Sequence, residues 1–410
     1  MAAKKTFYKK RILKELYFTP SLSCADLFLR INKSFPLITK LLNELMEQGL
    51  VIETGYAAST GGRRPQTYAI KEDVMYVVSV AMDQFVTRIA IMDMQNQTVS
   101  ELKKFELNLA ENLDALSSLI EKIEEIIDST GIDIKKIIGV GIGMPGFVNA
   151  QKGINYTFFK SPGKSISQLI SDQLGLPVYI DNDSSLVALA ELRFGSARKR
   201  KNAMVINIGW GIGLGMILNG ELFRGHDGFA GEFSHIPLFN NGKLCSCGKS
   251  GCLETETSLV TIVEKAKEGL NTHRLTKMGK GSFDHLEQAI EIIMAAAQEG
   301  DRFAVELFTE AGYNIGRGVA ILIHLLNPEI VILSGRGSSA GKVLMAPIQQ
   351  ALNEHCIPRL SHSTELEISK LGYMAELIGA AALVMENFEK ENNKNYVASL
   401  EGILSRDYTS

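Results

Sequence analysis

The spacing of apolar residues changes character once along the chain, near residue 72. Before that point most of it runs at helical period. Ile12, Leu13, Leu16 and Tyr17 gather on one side of a first helix over 7–19, and Ser23-Cys24-Ala25-Asp26 opens a second, short one that runs to about Ile31. Asn32-Lys33-Ser34 reads as a turn. A third helix, FPLITKLLNELMEQGL, carries Leu37, Leu41, Leu42, Leu45 and Met46 at helical spacing. Ser34 is placed as its N-cap, Pro36 in its first turn and Gly49 at its end. Two strand-like pieces, 50–54 and 66–70, flank the loop GYAASTGGRRP. Three helices and a two-stranded wing with arginines at its tip predict a winged helix-turn-helix.

From Met75 the pattern becomes strands alternating with helices. MYVVSVA, VTRIAIM and a stretch near 100–107 read as strands, followed by a helix over 112–129 and the buried strand IIGVGIG. PVYID, AMVINIG and LGMILNG continue the series. Late in the chain, helices over 302–326, 341–354 and 375–389 alternate with strands EIVILSG and LEISK, and the last twenty or so residues are polar and loosely patterned. Long-range alternation with glycine-rich strand ends is α/β architecture. No apolar run approaches the roughly 18 residues needed to span a bilayer. The first eighteen residues place charges inside any apolar stretch, so no secretory signal is expected. The expectation is a cytoplasmic protein of two or three domains without a membrane partner.

Charge adds a division that the pattern does not show. Residues 1–71 hold twelve Lys/Arg against five Asp/Glu, a net of +7, while the rest of the chain carries 31 against 41, a net of −10. A small basic head on a large acidic body suits a polyanion-binding module joined to something else. The third helix would enter the major groove of operator DNA with Lys33, Ser34, Leu37, Thr39, Lys40 and Asn43. Arg63 and Arg64, next to Gly61-Gly62, would supply charge at phosphates or the minor groove.

Five cysteines in 410 residues exclude a disulfide scaffold, and three of them fall within eight residues, ten positions after a histidine. His235, Cys245, Cys247 and Cys252 predict a closed, structural Zn²⁺ site in preference to a cluster of free thiols. Cys24 and Cys356 read as ordinary buried thiols. Asn182-Asp183 follows a strand and precedes a helix, the position at which α/β proteins bind ligands. Glu232 and His235, three apart, would share a helical face, and Glu254 follows the last cysteine of the cluster. Carboxylates, an amide and an imidazole suit sugar hydroxyls, which both donate and accept hydrogen bonds.

GFAGEFSH followed by CSCGKSGCLE resembles the signature of the ROK family (repressors, open reading frames, kinases). VINIGWGIGLGMILNGELFRG, GVGIGMPGFV, VYIDNDSSLVALAE and NPEIVILSGRGS match further landmarks in the family's order, over about 75–390. The N-terminal module ending in GGRRP is similar to the family's xylose-repressor and N-acetylglucosamine-repressor type. The resemblance implies a two-lobed, actin-like (ribonuclease H-like) sugar kinase fold with sugar between the lobes. It implies Asn182, Asp183, Glu232, His235 and Glu254 as the sugar-contacting set, with Asp183 at the catalytic-base position. It implies a winged helix over 1–72 and a first lobe over 73–190, completed by C-terminal helices at about 371–395. A second lobe with the zinc site would span 191–370 and a tail 396–410.

The chain departs from the kinases of that family on the nucleotide side. Anchored on IAIMD, Ala81 stands where the kinases' Asp-x-Gly-Gly-Thr turn has its Asp, and Asp83-Gln84-Phe85 where it has Gly-Gly-Thr. Side chains there block the close backbone approach of a phosphate, and Asp83 repels it. The second phosphate loop, ordinarily Gly-Thr-Gly, is Gly209-Trp210-Gly211. The combined expectation is a pseudokinase and not an enzyme: a sugar-responsive repressor, homodimeric or homotetrameric on a two-fold operator, released by a sugar or sugar phosphate. An active ATP-dependent sugar kinase with a DNA-binding head, or a regulator gated by a protein partner, are the alternatives.

Overall fold

The computed structural model describes residues 2–57, 64–110, 112, 114–159, 164–240, 242–279 and 283–390. The chain divides into two compact units, residues 1–182 with 377–410, and residues 183–376.

The head of the first unit begins with α1 (Ala2–Phe18), which buries Ile12, Leu13, Leu16 and Tyr17 as their spacing predicts. After β1 (Leu22–Ser23), helix α2 (Cys24–Ile31) starts on a capping box. Ser23 Oγ accepts the Asp26 N–H at 3.1 Å, and the Asp26 carboxylate accepts the Ser23 N–H at 2.9 Å. Helix α3 (Phe35–Glu47) has Pro36 in its first turn and buries Ile38, Leu41, Leu42 and Leu45. Ser34 flanks α3 at the N-cap position, but its side chain makes no capping hydrogen bond. Strands β2 (Val51–Tyr56) and β3 (Gln66–Ile70) form the expected hairpin, with an irregularity between Glu53 and Gly55. β1 adds a third strand that the sequence pattern did not show, in the antiparallel order β1-β3-β2. The tip of the hairpin, residues 58–63, lies outside the described residues, and Arg63 with it.

The rest of the first unit is a five-stranded sheet in the order β10-β7-β4-β5-β6. β4 (Tyr76–Met82), β5 (Val86–Met92) and β6 (Lys103–Glu106) run antiparallel, while β7 (Ile137–Met144) and β10 (Val178–Asn182) join parallel to β4. A small hairpin, β8 (Val148–Asn149) and β9 (Ile154–Asn155), follows β7. Helices α4 (Ala115–Thr130) and α5 (Ile166–Leu174) contribute Leu119, Ile123, Ile166 and Ile170 to a core with Val78, Val80, Ile89, Val140 and Ile180. The C-terminal helix α13 (Ala375–Asn387) lies directly on β7. A Cβ at Gly141 would meet Ala380 O at 2.0 Å, so glycine in IIGVGIG is what permits that approach.

The head is packed into this unit and not merely tethered to it. Lys14 Nζ donates to Glu386 O at 3.0 Å and to Glu389 at 3.1 Å, Lys10 lies 5.4 Å from the Phe388 ring centroid, and the Tyr17 hydroxyl donates to Asn96. Burial pushes the Tyr17 phenol above its ordinary pKa.

The second unit opens with α6 (Asp183–Phe194), which packs on its own five-stranded sheet, β13-β12-β11-β14-β15. β11 (Ala203–Ile208), β14 (Ile330–Ser334) and β15 (Glu365–Ile368) are parallel, and β12 (Ile212–Leu218) and β13 (Glu221–Phe223) are antiparallel additions. Residues at 183–190 fall in this unit, not in the first, because Gly215 lets α6 touch the sheet: a Cβ there would lie 2.2 Å from Ala188 Cβ. Helices α7 (Glu254–Thr257), α8 (Leu259–Asn271), α9 (Leu286–Gln298), α10 (Arg302–Leu326), α11 (Lys342–His355) and α12 (Pro358–Ser361) complete the unit. Among the described residues no helix is long and apolar enough to cross a membrane.

Candidate functional site

Four of the residues singled out by spacing come together in the second unit. His235 ends a 3-10 turn (Phe233–His235), and Cys245, Cys247 and Cys252 sit on the loop leading to α7. Their ligand atoms all lie within 4.8 Å of one another. Cys247 Sγ is 3.6 Å from Cys252 Sγ, and Cys245 Sγ is 3.5 Å from His235 Nδ1. A tetrahedral zinc site with bonds of about 2.0–2.3 Å separates its ligand atoms by about 3.5 Å, so the donor set and its spacing fit such an ion. Burial pushes the Cys252 thiol up to about 12 and the Cys245 thiol upward, whereas the Lys249 amide draws Cys247 down. A bound divalent cation reverses the first two shifts by taking the thiolates as ligands. The cluster can hold a metal ion.

Two carboxylates flank the same histidine. Glu232 Oε2 is 3.7 Å from His235 Nε2, and Glu254 Oε1 is 3.8 Å from His235 Nδ1 and 3.2 Å from Cys245 Sγ. Glu232 stands as the N-cap of the 3-10 turn, so the two residues are neighbours across a tight turn and not on an α-helical face. Burial raises the Glu232 pKa, with Glu254 adding to the rise and His235 opposing it. Glu254 begins α7, immediately after the cysteine-bearing loop, and its Oε2 lies against Gly211, 3.2 Å from where a Cβ would stand. This polar group presents acceptors and a ring nitrogen, the equipment for binding hydroxyls.

Asp183 is the first residue of α6, with Oδ1 accepting from the Ser184 N–H at 2.8 Å. Ser184 Oγ in turn accepts from Asn207 Nδ2 at 3.1 Å, which ties the helix start to the end of β11. Asn182 closes β10 in the first unit and donates through Nδ2 to Gly146 O at 3.2 Å.

In the head, Lys33, Ser34, Lys40, Asn43 and Arg64 are exposed, as a nucleic-acid face requires. Leu37 and Thr39 are half-buried, and Thr39 Oγ1 is committed to Phe35 O at 3.0 Å and to Cys24 Sγ at 3.3 Å. Several of the head's cations have carboxylate partners. Lys5 and Lys9 pair with Glu44, Lys14 with Glu386 and Glu389, and Arg30 with Glu15.

The two turns expected to differ from phosphate loops are both occupied by side chains of the chain itself. Ala81 is buried in β4, and the β4–β5 turn that follows spends its backbone donors on Asp83. Asp83 Oδ1 accepts the Phe85 N–H at 2.8 Å and the Val86 N–H at 2.7 Å, and Gln84 is exposed. In the second unit Trp210 is buried under the Arg336 guanidinium, which also contacts Tyr373 and Glu287. Sequence reasoning missed these last three residues. Its one available signal was an arginine between two glycines at a strand end in NPEIVILSGRGS.

Two α/β units, a three-helix head and a His-Cys₃ cluster beside paired carboxylates define a protein of the actin-like sugar kinase fold with an N-terminal appendage. The chain matches the ROK family over residues 78–387 and belongs to it. It is 28% identical over 394 residues to a xylose repressor of Caldicellulosiruptor bescii, covering 93% of this chain and 96% of that protein. Among solved structures it is similar to a ROK family transcriptional regulator described as a homolog of the E. coli MLC protein. That likeness has TM-score 0.76 and 26% identity, over 98% of this chain and 100% of the other. It is also similar to a ROK family glucokinase from Streptomyces griseus in complex with glucose and AMPPNP, with TM-score 0.66 and 28% identity. That match covers 75% of this chain and 98% of the kinase.

Proposed function

We propose that this chain is a sugar-responsive transcriptional repressor whose kinase-like body binds a sugar or sugar phosphate and has ceased to transfer phosphate. The observation that carries the reading is the end-to-end likeness to a ROK transcriptional regulator, head included, where the glucokinase match covers only 75% of the chain. The β4–β5 turn supports it from chemistry. Two N–H groups that could cradle a phosphate are held by the Asp83 carboxylate, which would repel a polyanion as well. Asp183, retained at the position of the kinases' base, serves as a hydrogen-bond acceptor for sugar together with Asn182, Glu232, His235 and Glu254.

In this reading the head is a winged helix-turn-helix and α3 enters the major groove. Lys33, Ser34, Lys40 and Asn43 are the accessible members of the contacting set, Leu37 and Thr39 lie at its edge, and Arg63 and Arg64 anchor the wing. Zinc in the cysteine cluster is structural and fixes the direction of Glu254 and His235. A two-fold operator calls for a homodimer or homotetramer. Residues 1–72 act as the DNA module, and the kinase-like body follows.

The test is selection of genomic fragments by the purified chain at fixed salt, with and without a panel of sugars. A palindromic site released by one sugar is the expected result. Lys40→Ala should weaken binding across sequences and reduce the salt slope by about 1. No enrichment in any condition would end the repressor reading. The likeness to a glucokinase, together with Asp183, favours one second reading, an active sugar kinase with a DNA-binding head. Turnover of ATP with a hexose would establish it.

A further inference from the structure

Trp210, Arg336 and Tyr373 follow the carboxyl ends of β11, β14 and β15, three neighbouring parallel strands of one sheet. In open α/β sheets ligands bind beyond this edge, where loops diverge and leave a crevice. In this unit the crevice is filled by the chain itself. The Arg336 guanidinium carbon lies 4.9 Å from the Trp210 ring centroid and 4.5 Å from that of Tyr373. The same guanidinium donates to the Tyr373 hydroxyl and to the Glu287 carboxylate in the first turn of α9. The Arg336 side chain is 9% exposed, and Trp210 is buried.

A guanidinium is flat and delocalised, stacks on aromatic faces and is weakly hydrated, so it substitutes well for a planar heterocycle against two rings. Glu287 balances its charge. Gly335 and Gly337 bracket the arginine. A Cβ at Gly337 would meet Ile208 Cγ2 at 2.4 Å, so this loop is pressed onto the end of β11, the strand that leads to Trp210. Withdrawing the arginine side chain leaves two aromatic faces beside a glycine-rich loop, a slot that suits a purine base. The geometry points to Arg336 as an internal plug that occupies the seat of a purine nucleotide in the second unit, with Trp210, Tyr373 and Glu287 as its holders. The inference rests on the non-catalytic reading of the body and deepens it: the seat is occupied from within.

Trp210 is the only tryptophan in the chain, so its emission reports on this seat alone. Titration of the full-length protein with AMPPNP and with adenosine, excited at the red edge of the indole band, is expected to leave the wild-type emission unchanged. Arg336→Gly should give a saturable change with both probes and an affinity at least about tenfold above wild type. Tyr373→Ala removes one ring face and one acceptor of the plug and should show a smaller gain in the same direction. It keeps the test open should the glycine variant not fold. Wild-type binding as tight as that of the folded variants, or no gain in either, would overturn the plug. Operator release by sugar, measured on the wild-type chain in parallel, answers separately for the repressor reading. Its absence would remove that reading without touching the nucleotide result.

Discussion

The cysteine cluster and the arginine cluster belong to the same unit and are built from groups of opposite character. Around His235 stand three thiols and the carboxylates of Glu232 and Glu254, which gain ligand or acceptor strength by losing protons. Brought together by folding alone they repel one another when ionised, and burial raises the pKa of Cys245 and Cys252. Arg336 is a cation set against a carboxylate and two aromatic faces, groups of complementary charge. The first arrangement makes physical sense with an external cation and the second without any ligand. Donor chemistry thus separates a cluster suited to an added cation from one that closes on its own charges.

The largest expected effect tests the first half of this contrast. Structural zinc contributes free energy of order 10 kcal/mol in isolated fingers, and a fraction of that suffices in a larger unit. Removing the metal with a chelator, or Cys252→Ser, should lower the melting temperature by about 10 °C or more. Calorimetry with metal analysis checks this, the expected stoichiometry being one ion per chain. An unchanged melting curve in chelator, with no metal bound, would break the comparison at its base. Next in size, Glu254→Gln keeps the shape of a side chain 3.2 Å from Cys245 Sγ but loses its charge. Affinity for the releasing sugar should fall about 10- to 100-fold, the range of a charged hydrogen bond, with metal content retained. Loss of metal along with sugar would instead make Glu254 a support of the metal loop.

How legible each cluster was depends on how far folding had to carry its members. Cys245, Cys247 and Cys252 lie on one loop, so spacing alone revealed them. The capping box at Ser23 and Asp26 and the core face of α1 were equally local. β1 was not, since two residues carry no period and only pairing with β3 makes them a strand. Arg336 meets Tyr373 across 37 residues because β14 and β15 are parallel neighbours, and Glu287 across 49 because α9 packs on the turn that Arg336 begins. The Trp210 substitution was visible, but its partners were not. The count over residues 1–71 also missed Glu386 and Glu389, which folding brings from the far end of the chain to Lys14.

Glu287→Gln tests the second half of the contrast. It leaves Arg336, 9% exposed, with a neutral acceptor in place of its counter-charge. Glu287 retains partial exposure, so the cost should be about 2 kcal/mol, between an exposed ion pair and a fully buried one. Urea unfolding measures it, and Glu287→Gln with Arg336→Gln should recover part of the loss. A change below about 0.5 kcal/mol would show that the rings, not the charge balance, hold the arginine.

Between the two clusters in character stands Glu191, a buried carboxylate on α6 that has internal donors but, among the described residues, no ion pair. It accepts from the Ser196 N–H at 2.9 Å and from the Ser369 hydroxyl. Burial raises its pKa above the ordinary glutamate value and Glu367 adds to the rise, while Ser369 and Ser196 oppose it. A raised folded-state pKa means that the native state holds the proton more tightly than the unfolded chain does. The stabilising contribution is therefore complete below the unfolded pKa and is lost as pH rises through the folded one. Glutamine is neutral throughout, so Glu191→Gln should stabilise the protein by about 1 kcal/mol at neutral pH. The gain should close as pH falls toward the ordinary glutamate range, which urea unfolding at the two pH values reads directly. A gain independent of pH would mean that packing, and not charge burial, sets the balance at this site. Glu191 would then no longer mark the point where internal donors stop sufficing and a counter-ion becomes necessary.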